Sequence, residues 1–136
     1  MKRIQKIILA LAVLLVLAGL VYLAFYLKDV TEYKKAVEET TFEEIPLANV
    51  SDGVYTGEYD VSFIYAKVEV TVKNGMISEI QLIEHKNERG RSAEAVLQNI
   101  KEEQKIDVDA VSGATNSSTV IKKAVEQALK KGLRKE

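Results

Sequence analysis

The strongest feature of the hydrophobic pattern is an unbroken apolar run near the N-terminus. Residues 7–27 contain no charged side chain. At a rise of about 1.5 Å per residue, a helix over this run would cover about 30 Å, the thickness of a bilayer's hydrocarbon core. The pattern therefore predicts a transmembrane helix. A cleaved signal peptide is the alternative, but the run is longer than the usual apolar region of such peptides, and no convincing small-x-small cleavage site closes it.

The residues that flank this run predict its orientation. Three basic side chains make residues 1–6 a basic N-terminus, which the positive-inside rule retains in the cytoplasm. Tyr22 and Tyr26 lie near the far end, where aromatic side chains favour the membrane interface. We therefore predict a single-pass protein of the cell membrane whose C-terminal domain lies outside the cytoplasm.

The segment after the run is charged and has two interpretations. Residues 28–50 hold the only proline, Pro46, and begin with a weak helical pattern. The segment is predicted to be a stalk or linker that lifts the domain off the membrane. Alternatively it belongs to the domain, with Phe42, Ile45 and Leu47 packed onto a first helix.

From Ser51 onward the pattern changes to that of β-strands. Residues 54–59 are rich in β-branched and aromatic side chains. Apolar and polar residues then alternate over 66–73, which is typical of a strand with one buried face. A third strand follows, so we expect at least three antiparallel strands.

A hairpin joins the second and third of these strands. Asn74 and Gly75 supply the signal of a type I′ turn, and the return strand is predicted over residues 76–84. Simple alternation places the apolar residues of this strand on two faces, Ile80 and Leu82 on one, Ile77 and Ile83 on the other.

Two helices are predicted after the sheet. Residues 85–91 are too polar and charged for the core and are interpreted as a loop, after which Ser92 would cap a helix. The clearest period comes in a last helix that ends at Gly132 and would be capped by Ser117 or Ser118. Its apolar face consists of Val120, Ile121, Ala124, Val125, Ala128 and Leu129, and its expected solvated face of Lys122, Lys123, Glu126, Lys130 and Lys131.

These elements predict an α+β fold class. A small antiparallel, hairpin-rich sheet carries two packed helices and is preceded by one N-terminal transmembrane helix. The predicted division is a cytoplasmic N-terminus at 1–6, an anchor at 7–27, a stalk at 28–50 and a folded domain at 51–136. A domain of about eighty residues has room for one hydrophobic core.

Composition excludes several kinds of function. The chain has 19 basic and 20 acidic residues, and because three basic residues precede the apolar run, 16 remain against 20 beyond it. This mildly acidic balance argues against a nucleic-acid partner. The absence of cysteine excludes disulfides, Fe–S clusters, thiolate zinc and thioether-linked haem, and a single histidine, His85, excludes a histidine-rich metal site.

Candidate chemistry is concentrated just before the last helix. Ser112, Gly113 and Ala114 are small, turn-forming residues that bring the hydroxyl of Thr115 to the helix start. A helix start has unpaired N–H groups and the positive end of the macrodipole, which favour an anion. Three uses remain open: a simple capped turn, a noncovalent phosphate site, or covalent attachment at Thr115. Since a threonine hydroxyl is a weak nucleophile, attachment would need another enzyme.

Residues 54–129 resemble the FMN-binding domain family. That family includes the peripheral flavin subunits of the sodium-translocating NADH:quinone oxidoreductase and of the Rnf electron-transport complex. Its flavinylation motif is an aspartate, two spacers and then Ser/Thr-Gly-Ala-Thr, which this chain matches at Asp109, Ser112, Gly113, Ala114 and Thr115. The resemblance implies that Thr115 carries FMN through a phosphoester, installed from FAD by a flavin transferase outside the cytoplasm.

Two further residues are candidates for roles at a flavin. Asp109 is interpreted as a recognition element for the transferase that also orients the turn hydroxyls, or alternatively as a solvated turn acid. His85 would hydrogen-bond or stack on the isoalloxazine and tune its potential, or alternatively is an ordinary histidine of a surface loop.

The leading functional hypothesis is an extracytoplasmic electron carrier. A membrane-tethered flavoprotein would accept electrons from a membrane donor and pass them to an acceptor of unknown identity. No acid/base pair is readable, so no catalytic residue is assigned. The alternatives are a cell-surface binding module that has kept the fold without the flavin, and a small flavin reductase.

Overall fold

The computed structural model describes residues 1–86 and 91–135 of the chain. It divides into two compact units, Met1–Glu32 and Tyr33–Glu136, which are described separately. Most of the first unit belongs to a long helix, α1 (Lys2–Glu38).

The part of α1 in the first unit is apolar and exposed. Its large apolar side chains from Ile4 to Leu27 are all exposed to solvent. Among the described residues, α1 is the one helix long and apolar enough to cross a membrane, judged by length and composition. The segment 7–27 lies within it, and its boundaries as an anchor stay a prediction.

The second unit is built on a three-stranded antiparallel sheet. Strands β1 (Gly53–Asp60), β2 (Tyr65–Lys73) and β3 (Met76–Lys86) are arranged with β2 in the centre, which confirms the predicted strands. Asn74 and Gly75 between β2 and β3 have φ angles of 54° and 72°. Two consecutive positive φ angles are what a type I′ turn requires.

The register of β3 corrects one prediction. Ile77, Ile80 and Leu82 all lie opposite the buried valines of β2, and opposed residues of antiparallel strands share a face. The prediction that Ile77 lies apart from Ile80 and Leu82 is therefore wrong. The pairing shifts by one residue at Ser78 and again at Ile83, as β-bulges do, so strict alternation fails at those two points.

Helix α3 (Thr115–Lys131) packs directly on β1 and β2. Every residue of its predicted apolar face is completely buried. A side chain at Gly57 of β1 would place its Cβ 2.0 Å from the Ala124 carbonyl oxygen and 2.4 Å from the Ala128 nitrogen. Only glycine lets the helix approach the strand this closely.

The segment before α3 begins with two short helices and continues without regular secondary structure. A 3-10 helix, Arg91–Ala95, leads into α2 (Val96–Glu103), so Ser92 lies within the 3-10 helix and not at a cap. Gln104 ends α2 with a φ of 52°, and its side-chain amide donates to the Ile77 carbonyl and accepts the Ile77 N–H. Residues 107–111 form no helix or strand, and the Val108 N–H donates to the Ile106 carbonyl at 2.8 Å.

The charged face of α3 is not uniformly solvated, contrary to the prediction. Glu126 is completely buried and Lys122 is only 6 % exposed. Residues 41–47, which we name the strap, supply much of the cover: Phe42, Ile45 and Leu47 pack against the core. The pattern misses this because paired buried charges and solvated charges look alike in a sequence.

Two lysines and one backbone N–H bind the buried Glu126 carboxylate. Lys123 Nζ and Lys130 Nζ lie 2.8 and 2.9 Å from its Oε1, and the Glu43 N–H of the strap donates to its Oε2 at 3.2 Å. Burial alone would raise the pKa of Glu126, but the hydrogen bonds from Lys123 and Lys130 outweigh it and hold the pKa below its ordinary 4.5. The carboxylate thus joins the strap to α3.

We predict that Glu126→Gln lowers the free energy of unfolding at pH 7 by about 3 kcal/mol, because it leaves two lysines facing an uncharged amide. Since the folded pKa of Glu126 is lowered, its contribution is present above about pH 4.5 and is lost as the pH falls through the folded value. The difference from wild type should therefore shrink in acid, measured by urea unfolding of the detergent-solubilised chain. Glu84→Gln, exposed on β3, is the matched control, and equal stability of Glu126→Gln and wild type at pH 7 would contradict the assignment.

Candidate functional site

The stretch before α3 folds into a tight turn. The Ala114 N–H donates to the Val111 carbonyl at 2.9 Å, which closes a four-residue turn. Gly113 is the third residue of this turn and has a φ of 78°, the conformation that a type II turn needs at that position. No atom lies within 4 Å of a Cβ built on Gly113, so glycine serves the backbone conformation there and not a lack of space.

Thr115 is the first residue of α3 and is exposed. The N-cap position is held by Ala114, whose side chain makes no capping hydrogen bond. The predicted cap at Ser117 or Ser118 is wrong, because both serines lie inside the first turn of α3 and are buried. The start of α3 therefore presents an exposed threonine, and the preceding residue has no side chain that can cap the helix.

Ser118 connects the turn to the helix. Its Oγ donates to the Ala114 carbonyl at 2.8 Å and accepts the Val111 N–H at 3.0 Å. The side chain is completely buried. The sequence predicts only a possible cap at this residue, and its position three residues after Thr115 is the sequence signal that marks it.

Lys122 forms hydrogen bonds to the irregular segment that precedes the turn. Its Nζ donates to Asp107 Oδ1 at 2.9 Å and to the Val108 carbonyl at 2.7 Å. The ammonium lies 4.4 Å from the centroid of the Phe42 ring, a cation–π distance. The helical pattern predicts a solvated lysine here, and nothing in its spacing distinguishes it from the exposed lysines nearby.

The structure places five of the six predicted site residues in one short stretch, in the turn or within two residues of it. Asp109, Ser112, Gly113 and Thr115 are exposed, and Ala114 is buried beneath them. These four therefore form a surface that another protein can reach.

His85 is the sixth, and the structure corrects its environment. It belongs to β3, opposite Ala66, with a side chain that is only 2 % exposed. Its Nδ1 lies 3.2 Å from Glu94 Oε1 on the 3-10 helix. The prediction of a surface loop is wrong for this residue, because β3 extends to Lys86 and the second bulge turns His85 toward the core. Residues 87–90 of the predicted loop lie outside the described residues.

Two contacts of α3 fix where Thr115 lies relative to the sheet. Gly57 contacts the middle of the helix, and the Ser51 N–H donates to the Gly132 carbonyl at 2.8 Å near its end. Helix α3 thus runs antiparallel to β1, and its N-terminus points toward the end of the sheet where β1 and β3 finish. His85 lies at that same end, and the 3-10 helix that carries Glu94 packs against α3.

A cleft of about 490 Å³ lies elsewhere in the unit. Its walls come from the strap, the segment after α2, Ile77 and Leu129. Leu129 belongs to the C-terminal part of α3, so this cleft is separate from the turn at Thr115.

Comparison with known proteins identifies the domain. Residues 64–130 match the family model described as the FMN-binding domain. The matched region contains β2, β3, α2, the turn at Thr115 and nearly all of α3, so this part of the chain belongs to the FMN-binding domain family. A search of curated proteins and a search of solved structures each found no match.

The residues at the turn fit the phosphate of FMN. An exposed hydroxyl stands at the first position of a 17-residue helix whose cap residue has no acceptor side chain. Amides of the first turn and the macrodipole both stabilise a negative group at that point. The open space around Gly113 leaves room for a substituent beside Thr115. The family match supports FMN as the cofactor.

We predict that Gly113→Ala lowers the free energy of unfolding by about 1 to 2 kcal/mol, because a Cβ is disfavoured at a φ of 78° even in open space. Gly113→Asn is the matched control, since asparagine tolerates the left-handed region and should lose less than half as much. Urea unfolding followed by circular dichroism measures both variants. Equal losses of unfolding free energy in the two variants would show that the positive φ is not the reason why residue 113 is glycine.

Proposed function

We propose that the chain is a membrane-anchored electron-transfer flavoprotein whose FMN is attached through a phosphoester to Thr115, on the outer side of the membrane. One observation carries the proposal: in a domain of the FMN-binding family, the Thr115 hydroxyl is exposed at the start of α3 on a turn shaped by Gly113. The motif from Asp109 to Thr115 supports covalent attachment over a simple capped turn.

The attachment is a transfer of FMN from FAD. The Thr115 hydroxyl oxygen forms a bond to the phosphorus of the FMN half of FAD, the pyrophosphate bond to that phosphorus breaks, and AMP leaves. The hydroxyl proton passes to a base of the transferase, since a threonine hydroxyl is a weak nucleophile without one. The exposure of Thr115 and Asp109 supports this arrangement, because an external enzyme has to reach both.

The local electrostatics favour the product. A phosphodiester keeps one negative charge, which at Thr115 would lie next to the first-turn amides of α3. Covalent attachment also prevents loss of a diffusible cofactor outside the cell. Asp109 remains two residues from the turn, where we assign it to recognition by the transferase.

The flavin, when bound, supplies the electron-transfer chemistry, and the protein supplies tethering and surroundings. We assign His85 to those surroundings, because its buried imidazole lies at the same end of the sheet as Thr115. Glu94, 3.2 Å away, holds the imidazole in one orientation. Hydrogen-bonding groups near the isoalloxazine ring set its potential.

The N-terminal helix supports a fixed position at the membrane. With residues 1–6 in the cytoplasm and residues 7–27 across the bilayer, the domain would face a membrane electron donor from outside. The absence of cysteine from the whole sequence is in keeping with FMN as the redox centre.

We predict that wild type, incubated with a flavin transferase and FAD, acquires fluorescence that survives denaturation and a mass gain of one FMN less water. Thr115→Ala should abolish both signals, and Thr115→Ser should retain them in part because it keeps a hydroxyl. Thr119→Ala, one helical turn later in α3, is the matched control and should be modified like wild type.

The outcome separates the proposal from its rivals. If wild type stays unmodified while the transferase modifies a control substrate, covalent attachment is wrong. If the native chain also fails to bind free FMN, the binding-module hypothesis replaces the flavoprotein.

The cysteine-free sequence makes the topology directly measurable. Glu79→Cys introduces a thiol on the exposed outer face of β3, and Lys2→Cys introduces one at the N-terminus. We predict that a membrane-impermeant maleimide labels Glu79→Cys in intact cells and labels Lys2→Cys only after lysis. The reverse pattern would contradict the orientation, and loss of the Lys2 peptide from the mature protein would identify a cleaved signal peptide.

A further inference from the structure

Two side chains of α3 hold the segment that leads to Thr115. We name residues 107–114 the acceptor loop. Ser118 binds its C-terminal end through two hydrogen bonds, and Lys122 binds its N-terminal end through two more. Residues four apart lie on the same face of a helix, so the two side chains act on one continuous stretch of chain.

Both side chains are buried, which has a cost that their contacts must offset. Ser118 is completely buried and Lys122 is 6 % exposed. Lysine is almost never buried unless its ammonium is paired. Here the pairing partners are Asp107 and the Val108 carbonyl, both in the acceptor loop. The buried ammonium of Lys122 thus pairs with the acceptor loop and not with the sheet.

The acceptor loop has little regular structure to keep its shape. It lies in no helix or strand, and its turn at Val111 to Ala114 is closed by one backbone hydrogen bond. Fixing the backbone of each such residue has an entropic cost. Val108 and Ala114 are buried and Val111 is partly buried, so apolar contacts anchor only single residues of the stretch. The exposed residues between them make no such contacts, and the hydrogen bonds from α3 to the neighbouring residues contribute to their order.

We propose that Ser118 and Lys122 are positioning residues that keep the acceptor loop in the conformation a flavin transferase binds, and so set how efficiently Thr115 is modified. The inference rests on the proposed function. Neither side chain contacts the reacting atoms. An enzyme that binds only the ordered loop binds a partly ordered one more weakly, in proportion to the ordered fraction. Loss of either side chain should therefore raise the KM of the transferase for this chain and leave kcat nearly unchanged.

The test uses the full chain, a flavin transferase and FAD, with modification followed by in-gel fluorescence. Ser118→Ala removes one oxygen, and Lys122→Met keeps the length of the side chain without its charge. Each variant should raise KM about fivefold, the effect of losing about one net hydrogen bond of average strength. The kcat of each should stay within about twofold of wild type.

Two matched controls separate positioning from general stability. Lys123→Met removes a lysine of the same helix that donates to the Thr41 carbonyl of the strap at 2.8 Å, and to Glu126, but not to the acceptor loop. Ser78→Ala removes a serine whose hydroxyl donates to the Thr71 carbonyl at the other end of the sheet. Both controls should keep the wild-type KM, although Lys123→Met should lower the melting temperature.

Hydrogen exchange gives a readout that does not involve the transferase. Amides of residues 107–114 should exchange at least about fivefold faster in Ser118→Ala and Lys122→Met than in wild type, because their protection depends on these hydrogen bonds. The two controls should exchange like wild type in this segment.

Each result either supports or overturns the proposal. Unchanged KM in a variant whose acceptor loop exchanges faster shows that the transferase does not read the loop conformation, and overturns it. An equal rise of KM in Lys123→Met attributes the effect to stability and also overturns it. An unmodified wild type beside a modified control substrate refutes the proposed function itself, and the inference with it, so the two failures are distinguishable.

Discussion

The rest of the domain depends on the close contact between α3 and β1 at Gly57. Because a Cβ at this position would overlap the helix backbone, the helix lies against the strand itself. This contact and the hydrogen bond from Ser51 to Gly132 set the direction of α3. The helix therefore begins at the end of the sheet where His85 lies, and the position of Thr115 follows from a packing constraint many residues away from it.

A helix so close to the sheet also has little surface left for solvent. The strap and the acceptor loop cover the charged side of α3, where Glu126 and Lys122 are buried. Buried charges are tolerated only when they are paired and hydrogen-bonded. The same pairs attach both irregular segments to the helix, so α3 organises the sheet on one side and the two loops on the other.

Local signals were sufficient to predict much of this structure. The three strands follow from alternation, the hairpin from Asn74 and Gly75, and the apolar face of α3 from its period. Long-range contacts were not predictable in the same way. A buried Lys122 has the same spacing as an exposed lysine, and two bulges that change which residues of β3 face the core leave no local mark. For the same reason the exposed turn at Thr115 was recognised from its residues, whereas the side chains that support it were not.

The bulges of β3 have a consequence beyond the facing of its side chains. The strand order leaves β3 at an edge of the sheet, where unpaired backbone groups can recruit a strand from a second molecule. Each bulge locally breaks the ladder and increases the twist, so an incoming strand finds no long regular row of partners. Two irregularities within one strand thus make this edge a poor template for aggregation.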